Sequence, residues 1–459
     1  MNPRQAIVIG AGISGLACAL RLRELGAEIR IFEAAENPGG LVSTVHKDGF
    51  LFESGPQSMQ LTPELRELIR AAGCESELIE ADARSPRYIL RGGKLHPAPM
   101  SPPALLTTSL LSVGSKMRVV SEPFRRSQPA AGEESLANFV RRKFGTEILE
   151  HLVGPFVSGV FAGDPEKLSV RSAFPTLAAW EAEYGSVIRG AMKSGGKGER
   201  VRPTLASFKA GMATLMNTMA QKLGGALVNN ASVVGIEFSA LEGWTIHCPA
   251  AKAGKVTADA MVLAIPAHVA TKLLASTSVR LASALAGIPY APIAVVSQGY
   301  RRQDVGHALN GFGFLVPRTE ELRTLGVIWN SSLFPGRCPQ DAILLTSFIG
   351  GATDPQILRM DDFEIANQVH KDIAGILQIS APPVAQHVWR HSHALPQYNL
   401  GHAQKVAAIR EDLTNLHGLF IAGNYLDGPS MGSCVSQAFR TAQSVRDYLS
   451  RDVDKSKAT

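Results

Sequence analysis

The amino-acid sequence predicts an α/β fold in which a Rossmann-like dinucleotide-binding domain is interrupted by a helical insertion and an antiparallel sheet. Three observations carry this prediction. The N-terminus reads AIVIGAGISGLACALRLRELGAEIRIFEAAENPGG: an apolar run, a glycine-rich turn, an amphipathic stretch and a second apolar run. Near residue 97 the composition shifts, and PMSPPALLTTSLLSVGSKMRVVSEPF brings prolines followed by apolar residues at helical spacing. Residues 290–350 then alternate short apolar runs with turns: IAVVSQGYR, GFGFLVP, TLGVIWNSS and AILLTSFIGG.

Residues 6–10 form an apolar run of the kind expected for a buried parallel strand. Gly10, Gly12 and Gly15, with Ala11, Ile13 and Ser14 between them, supply the GxGxxG spacing. The first glycine allows a tight turn, the second lets backbone approach a pyrophosphate, and the third lets the helix pack on the strand. Residues 14–25 have helical periodicity through Leu16, Leu20 and Leu22, with Gly26 at the end. The unpaired N–H groups and positive dipole end of that helix face the phosphates. Residues 28–33 read as a second strand, and Glu33, eighteen residues past Gly15, stands where an acid holds a ribose hydroxyl. A lone GxGxxG recurs by chance in a glycine-rich chain. Strand, glycines, helix, strand and acid in this order define a dinucleotide site.

With 459 residues, 45% hydrophobic and 19% charged, the chain is long enough for two or three domains and a sizeable core. No apolar run reaches the roughly 18 residues of a membrane span. The first strand begins within five residues of the N-terminus, which leaves no room for a secretion signal, so the expected location is cytoplasmic. Cys18, Cys74, Cys248, Cys338 and Cys434 are scattered, which suits a reducing compartment and predicts neither disulfide nor metal site. His391 and His393 would share one face of a strand and are read as structural. The net charge is +6, with basic residues gathered at 116–118, 125–126, 141–143 and 193–202. Little aromatic interleaving accompanies them, so nucleic acid is not expected. An anionic membrane surface or anionic substrate fits better, with a solvated helical face as the plainer alternative.

Further elements follow from local signals. Residues 62–72 read as a helix capped by Thr62 and stopped by Gly73. Residues 87–96 read as a hairpin turning at Gly92-Gly93. Leu106, Leu110, Val113, Met117 and Val120 give an amphipathic helix pair, either ordinary core or a membrane-surface face. A helix starts at Ser135, and 194–200 reads as a glycine- and lysine-rich loop. Residues 211–223 form a helix with Met212, Leu215, Met216 and Met219 inward. Strands are expected over 226–238, 244–248, 255–265 and 419–422, and helices over 361–377 and 432–449.

Asn37-Pro38-Gly39-Gly40, Asp48-Gly49-Phe50 and Phe52-Glu53-Ser54-Gly55-Pro56 resemble the Gly-Gly motif and E-x-G-P strand of the amine-oxidase and protoporphyrinogen-oxidase superfamily. The C-terminal GLFIAGNYLDGPSMGSCVSQAFRTAQSV resembles the closing segment of large flavoproteins. This resemblance implies FAD as cofactor, met by the glycine turn and Glu33, by Gly39, Gly40 and Leu41, by Gly55, Pro56, Gln57 and Ser58, by the backbone of Val233, and by Gly423, Ser430, Met431 and Gly432. Where the superfamily often carries a basic residue after Gly-Gly, this chain has Leu41.

SGVFAGDPEKLSVRSAFP, GFGFLVP, WNSSLFPGR, SFIGGATDP and LPQYNLGH extend the resemblance over nearly the whole chain, to the protoporphyrinogen oxidases of haem synthesis. It implies five pieces: 1–86, 205–272 and 405–459 binding FAD, 87–204 a helical, membrane-associating and substrate-lining insertion, and 273–404 a substrate-binding antiparallel sheet. It implies that Arg87 meets a substrate propionate, that Leu315, Ile328 and Phe348 wall the tetrapyrrole, and that the backbone at Gly163 approaches a pyrrole. The implied reaction takes protoporphyrinogen IX to protoporphyrin IX, by hydride transfer from a methylene bridge to flavin N5, with molecular oxygen as acceptor. No catalytic base is assigned. The implied partners are a membrane surface at the inner face of the cell membrane, ferrochelatase and a second copy in a homodimer. Three alternatives stay open: coproporphyrinogen III as substrate, an amine or carotenoid oxidase, and a flavin-containing porphyrin carrier. An amine oxidase of this type needs an aromatic cage, and a chain with 6% aromatic residues offers Tyr425 in its C-terminal flavin segment but no obvious pair for it.

Overall fold

The computed structural model describes residues 5–125, 132–194, 204–239, 243–251 and 254–456, the last six of these by backbone alone. The strand Gln5–Ile9 is apolar on both faces because both faces are covered. It lies at the centre of a five-stranded parallel sheet in the order Leu227–Val228, Glu28–Phe32, Gln5–Ile9, Ala260–Leu263, Leu419–Ile421. Leu16, Leu20, Leu68, Met216 and Val435, from the helices Ile13–Glu24, Pro63–Ala72, Ala213–Leu223 and Met431–Ser456, bury one face. Ile246, Leu274 and Leu285, from a three-stranded antiparallel layer and two short helices, bury the other. The local signals hold at Thr62, whose hydroxyl accepts the Leu65 N–H, and at Gly73, which ends its helix at φ +82°. The methionines 212, 216 and 219 are fully buried core.

Two expected strands are broken. Residues 226–238 divide into Leu227–Val228 of the parallel sheet and Gly235–Ser239 of the antiparallel layer, with a turn through Asn230 at φ +52°. Residues 255–265 divide into Lys255–Ala258 and Ala260–Leu263, which belong to different sheets. Periodicity reads each run as continuous, but the chain changes layers within it.

The second sheet has seven strands, in the order Ala385–Pro396, Tyr290–Arg301, Ala342–Gly350, Thr324–Ile328, Gly313–Leu315, Arg87–Arg91, Lys94–Pro97. It is antiparallel except where Gly313–Leu315 runs parallel to Arg87–Arg91. The helix Asp362–Leu377, started by an Asp361/Glu364 capping box, packs Ile365, Val369 and Ile373 against Ala294, Val296 and Leu345 on one face. The other face looks towards the parallel-sheet domain. The helix His402–Asn415 has no counterpart in the sequence reading, and the edge strand Ala385–Pro396 enters it as a strand only through His391 and His393. An edge strand exposed along much of its length keeps too many polar residues for a core-strand pattern.

The insertion is helical: Pro102–Thr107, Val113–Ser121, Leu136–Lys143, a helix running through a π-turn at Leu149–Val153 into Gly154–Phe161, then Pro175–Tyr184 and Val187–Ser194. Pro155, which has no N–H to donate, follows that π-turn directly. The amphipathic face read from the sequence is divided. Leu110 is buried, whereas Val113 and Met117 are 75% and 63% exposed, and Phe124 beyond them is 81% exposed.

The basic groups at 141–143 are not a free cationic rim. Arg141 pairs with Glu166, Arg142 with Glu134 and Glu181, and Lys143 with Glu122 and Glu181. Arg118 and Arg125 donate to backbone carbonyls at 141–143 and 118. Arg126 and the loop expected at 194–200, apart from Ser194, lie outside the described residues. Lys143 is 2% exposed between two buried carboxylates. Removing one partner of a buried ionic cluster strands the others, so Lys143→Met should lower unfolding stability by ~3–5 kcal/mol. The exposed pair's Arg141→Met should cost below ~1 kcal/mol, both read by denaturant unfolding.

Candidate cofactor and substrate site

The parallel strands end at a backbone-lined cradle. Gly10 has φ +99°, and a Cβ on it would lie 2.5 Å from the Ala264 carbonyl oxygen. A Cβ on Gly15 would lie 1.9 Å from the Gly10 oxygen, so only glycine lets this helix approach its strand. Gly12 faces open space and caps the helix with no side chain, so the N–H groups at Ile13 and Ser14 keep their outward direction. The Glu33 carboxylate reaches under the turn, accepting the Ala11 N–H at 2.6 Å and the Ala35 N–H at 2.9 Å.

A second segment lies beside the first. Gly39 donates to the Ala11 carbonyl at 2.8 Å and forms a bridge with Gly12. A Cβ on Gly40, at φ +62°, would lie 3.5 Å from the Gly12 Cα. The Leu41 carbonyl accepts the Ser54 hydroxyl, and a Cβ on Gly55 would strike that same carbonyl at 2.5 Å. Residues 39–41 and 54–58 therefore form one packed wall leading away from the glycine turn. Val233 sits in the loop after Leu227–Val228, not within a strand. Asn230 and Ala231 tie that loop to the Ala35 and Glu33 carbonyls, at the end of the cradle that holds Glu33.

The C-terminal segment closes the same edge. Gly423 donates to Gln437, and a Cβ on it would meet the Tyr425 ring at 2.5 Å. Ser430 caps the last helix through the Ser433 N–H, Met431 opens that helix, and Gly432 packs on Thr62. The Tyr425 hydroxyl is buried with no partner in the protein. A side-chain-free turn, free helix N–H groups, an acid and a Gly-Gly wall fit an elongated dinucleotide. The donor set thus suits FAD.

Gln57 is turned the other way. Its amide nitrogen donates to the Gly55 carbonyl, and its oxygen accepts from Asn330 at 2.7 Å and Thr346 at 3.2 Å. Thr346 in turn shares a 2.9 Å bond with Ser297. This buried network joins the loop 54–58 to the seven-stranded sheet, and His391 adds a bond to the Ser54 carbonyl at 2.8 Å. The sequence reading assigned Gln57 to the cofactor and did not single out Asn330, Thr346 or Ser297. Their pairing spans nearly three hundred residues and leaves no local signal.

Register places the expected substrate residues on one face. Arg87 pairs with Gly313, Gly313 with Ile328, and Ile328 with Thr346. Two residues along, Leu315 pairs with Gly326 and Gly326 with Phe348. Cross-strand partners point the same way, so Arg87, Leu315, Ile328 and Phe348 share the face that carries Thr346 and Ser297. The latter two are buried, whereas Leu315, Ile328 and Phe348 are half-buried and Arg87 is exposed. Arg87 lies over the Phe312 ring at 5.1 Å, and partial enclosure holds its guanidinium below the usual arginine range although the residue stays reachable. The turn Phe161–Gly163 is bonded to this sheet: the Ala162 carbonyl accepts the Ala352 N–H at 2.7 Å, and the Gly163 carbonyl accepts from Arg318 at 3.1 Å. A separate hollow of ≈ 510 Å³, bordered by Asp48, Phe363, His370 and Val384, contains none of these residues.

Over residues 13–446 the chain matches the flavin containing amine oxidoreductase family, and it belongs to that family. It is thus an FAD-dependent oxidoreductase. It is 34% identical to protoporphyrinogen oxidase 1, chloroplastic, of Arabidopsis thaliana, over 97% of this chain and 88% of that one. It is 27% identical to coproporphyrinogen III oxidase of Bacillus subtilis (strain 168), over 97% and 98%. A crystal structure from Exiguobacterium sp. 255-15 has the same fold, with a TM-score of 0.82 at 24% identity over 97% of this chain and 99% of that one. Among the described residues no cluster of histidine, cysteine and carboxylate could hold a metal, and all five cysteines are free.

Beside the flavin loop, Glu53 is 2% exposed, and burial pushes its carboxyl up to about 7 despite bonds from Thr44 and the Met212 N–H. A raised carboxyl favours folding while protonated, and that contribution is lost as pH rises from about 4.5 through 7. Glu53→Gln removes the titration. Its stability relative to wild type should therefore climb across this window by roughly 3 kcal/mol, measured by denaturant unfolding at successive pH values.

Proposed function

We propose that this chain oxidises protoporphyrinogen IX to protoporphyrin IX, with molecular oxygen as the terminal acceptor. One observation carries the reading: Arg87, Leu315, Ile328 and Phe348, far apart in sequence, line one partly exposed sheet face joined by Gln57 to the flavin loop. A single cation at one edge of an apolar floor suits a flat amphiphile with acidic groups on one side. The names of the relatives agree, since the plant proteins at 34% identity are protoporphyrinogen oxidases.

When bound, FAD supplies the acceptor for the hydride that leaves a methylene bridge. The residues of the chain do the rest by placement. Arg87 anchors a propionate, Leu315, Ile328 and Phe348 hold the macrocycle and exclude water, and the Gly163 segment sits over a pyrrole. Three rounds remove six hydrogens, and the pyrrole protons pass to solvent. The proposal assigns 1–86, 205–272 and 405–459 to the cofactor, 273–404 to the substrate, and 87–204 to the cover, with Arg87–Arg91 and Lys94–Pro97 at its start joining the substrate sheet.

The insertion also docks on a lipid surface in this reading. The helix Val113–Ser121 turns Val113, Met117 and Val120 outward, with Phe124 just beyond, and these apolar groups rather than the paired basic residues support it. Among the described residues no helix is long and apolar enough to cross a membrane.

Anaerobic stopped-flow of the FAD-loaded protein tests the activity. Protoporphyrinogen should bleach the oxidised flavin rapidly and coproporphyrinogen III slowly, and Arg87→Ala should raise KM by roughly 10-fold or more with a smaller effect on kcat. The reverse preference would assign the earlier, coproporphyrinogen substrate, and no bleaching with either would reject the reading. Cosedimentation with anionic vesicles should fall several-fold in Val113→Ser/Met117→Ser/Phe124→Ser. Wild-type protein that ignores vesicles at low salt would end the docking proposal.

A further inference from the structure

The string LPQYNLGH is left without a role by the cofactor and substrate assignments, yet it joins three parts of the molecule within seven residues. Gln397 donates its backbone N–H to Pro289, at the start of the long sheet strand. Its side-chain nitrogen donates to the carbonyls of Phe161 at 2.9 Å and Leu395 at 3.1 Å. Both partners only accept, which fixes the amide orientation and leaves Oε1 on the opposite side. There Oε1 is buried with no partner, and a Cβ on Gly163 would lie 2.9 Å from it. The next residue, Tyr398, donates its hydroxyl to the Asn424 carbonyl, beside Gly423 in the flavin-side segment. Its own carbonyl accepts the Ser169 N–H at 2.8 Å, and Leu400 donates to Lys167. Gln397 and Tyr398 are 3% and 2% exposed.

The turn held by Gln397 has reason to move if released. Ala162 sits at φ +47°, a left-handed conformation that a residue with a Cβ adopts only when its surroundings hold it. The turn also bears on the cleft floor from two sides. The Ala162 carbonyl is bonded to Ala352, just past Phe348, and a Cβ on Gly159 would meet the Leu315 side chain at 2.4 Å.

We infer that Gln397 and Tyr398 are positioning residues: Gln397 sets the height of the Phe161–Gly163 turn above the Leu315–Phe348 floor, and Tyr398 locks that height to the flavin-side segment at Asn424. This rests on the porphyrinogen reading of the cleft. Gln397 touches neither floor nor cofactor, and acts through the turn it holds. A gap between roof and floor that matches the macrocycle places one methylene bridge for transfer. A looser roof binds the same ring less well without altering the acceptor.

The test uses the FAD-loaded protein, with the isosteric Gln397→Met, Gly163→Ala and the double variant. Each single change should raise KM for the porphyrinogen by about 10-fold, with kcat within about 2-fold and FAD affinity and visible spectrum unchanged. Both act on one turn, so the double variant should be little worse than either alone. Tyr398→Phe should instead alter the flavin spectrum or reduction potential. A Gln397→Met protein of lowered thermal stability but wild-type KM would overturn the inference. So would multiplicative effects in the double variant. If Gln397→Met fails to fold, Gln397→Glu, which keeps the shape but loses both donors to Phe161 and Leu395, carries the decision, and an unchanged KM there overturns the inference equally. Wild-type protein that bleaches with no porphyrinogen rejects the function instead, and the variants are then not at issue.

Discussion

The molecule depends on backbone meeting backbone where no side chain fits. At the end of the first strand the Gly15 backbone crosses the Gly10 carbonyl so closely that a methyl group would overlap it, and Gly10 itself abuts Ala264. That contact brings the first helix onto the parallel sheet and points its unpaired N–H groups out of the sheet's edge. Gly39 and Gly40 repeat the device one layer out, and Gly55 repeats it against Leu41. The result is a trough walled by peptide groups, which suits an elongated, charged cofactor, since close backbone donors need no ordering of flexible side chains.

The second sheet is tied to that trough by polar bonds set beside an apolar patch, in which Phe50 and Phe52 pack against Leu344 and Trp389. Gln57, Asn330, Thr346 and Ser297 are buried and hydrogen-bonded to one another, and His391 holds the Ser54 carbonyl. Such bonds are directional, so they fix the angle and distance at which the sheet face meets the flavin loop, where apolar contact would tolerate sliding. Arg337, buried among Ser207, Phe208 and Phe334, does the same on the far side of the loop.

The insertion roofs the cleft and pays for its place with a buried ionic cluster. Glu122 accepts from Ser186 and from the first N–H groups of Val187–Ser194, while Lys143 sits against Glu122 and Glu181. Among the described basic residues, Arg118, Arg125, Arg141, Arg142 and Lys143 are taken up in holding these helices together. At its surface the insertion exposes the apolar Val113, Met117 and Phe124.

Much of the cofactor domain was legible from residues alone, because its signals are local. The glycine spacing, the cap at Thr62, the stop at Gly73 and the acid at Glu33 each lie within one or two turns of the structure they specify. Family resemblance extended this to Arg87, Leu315, Ile328 and Phe348, and the sheet register then placed all four on one face. Other features were decided only in three dimensions. The breaks at Asn230 and Asp259 follow from the chain changing layers, which periodicity does not record. The edge strand Ala385–Pro396 exists because Tyr290–Arg301 offers it a partner. The roles of Gln57, Asn330 and Gln397 come from bonds across roughly 235 to 290 residues of chain. Short-range sterics and hydrogen bonding are written in neighbouring residues. The meeting of distant segments depends on how whole layers pack, and no local run of sequence contains it.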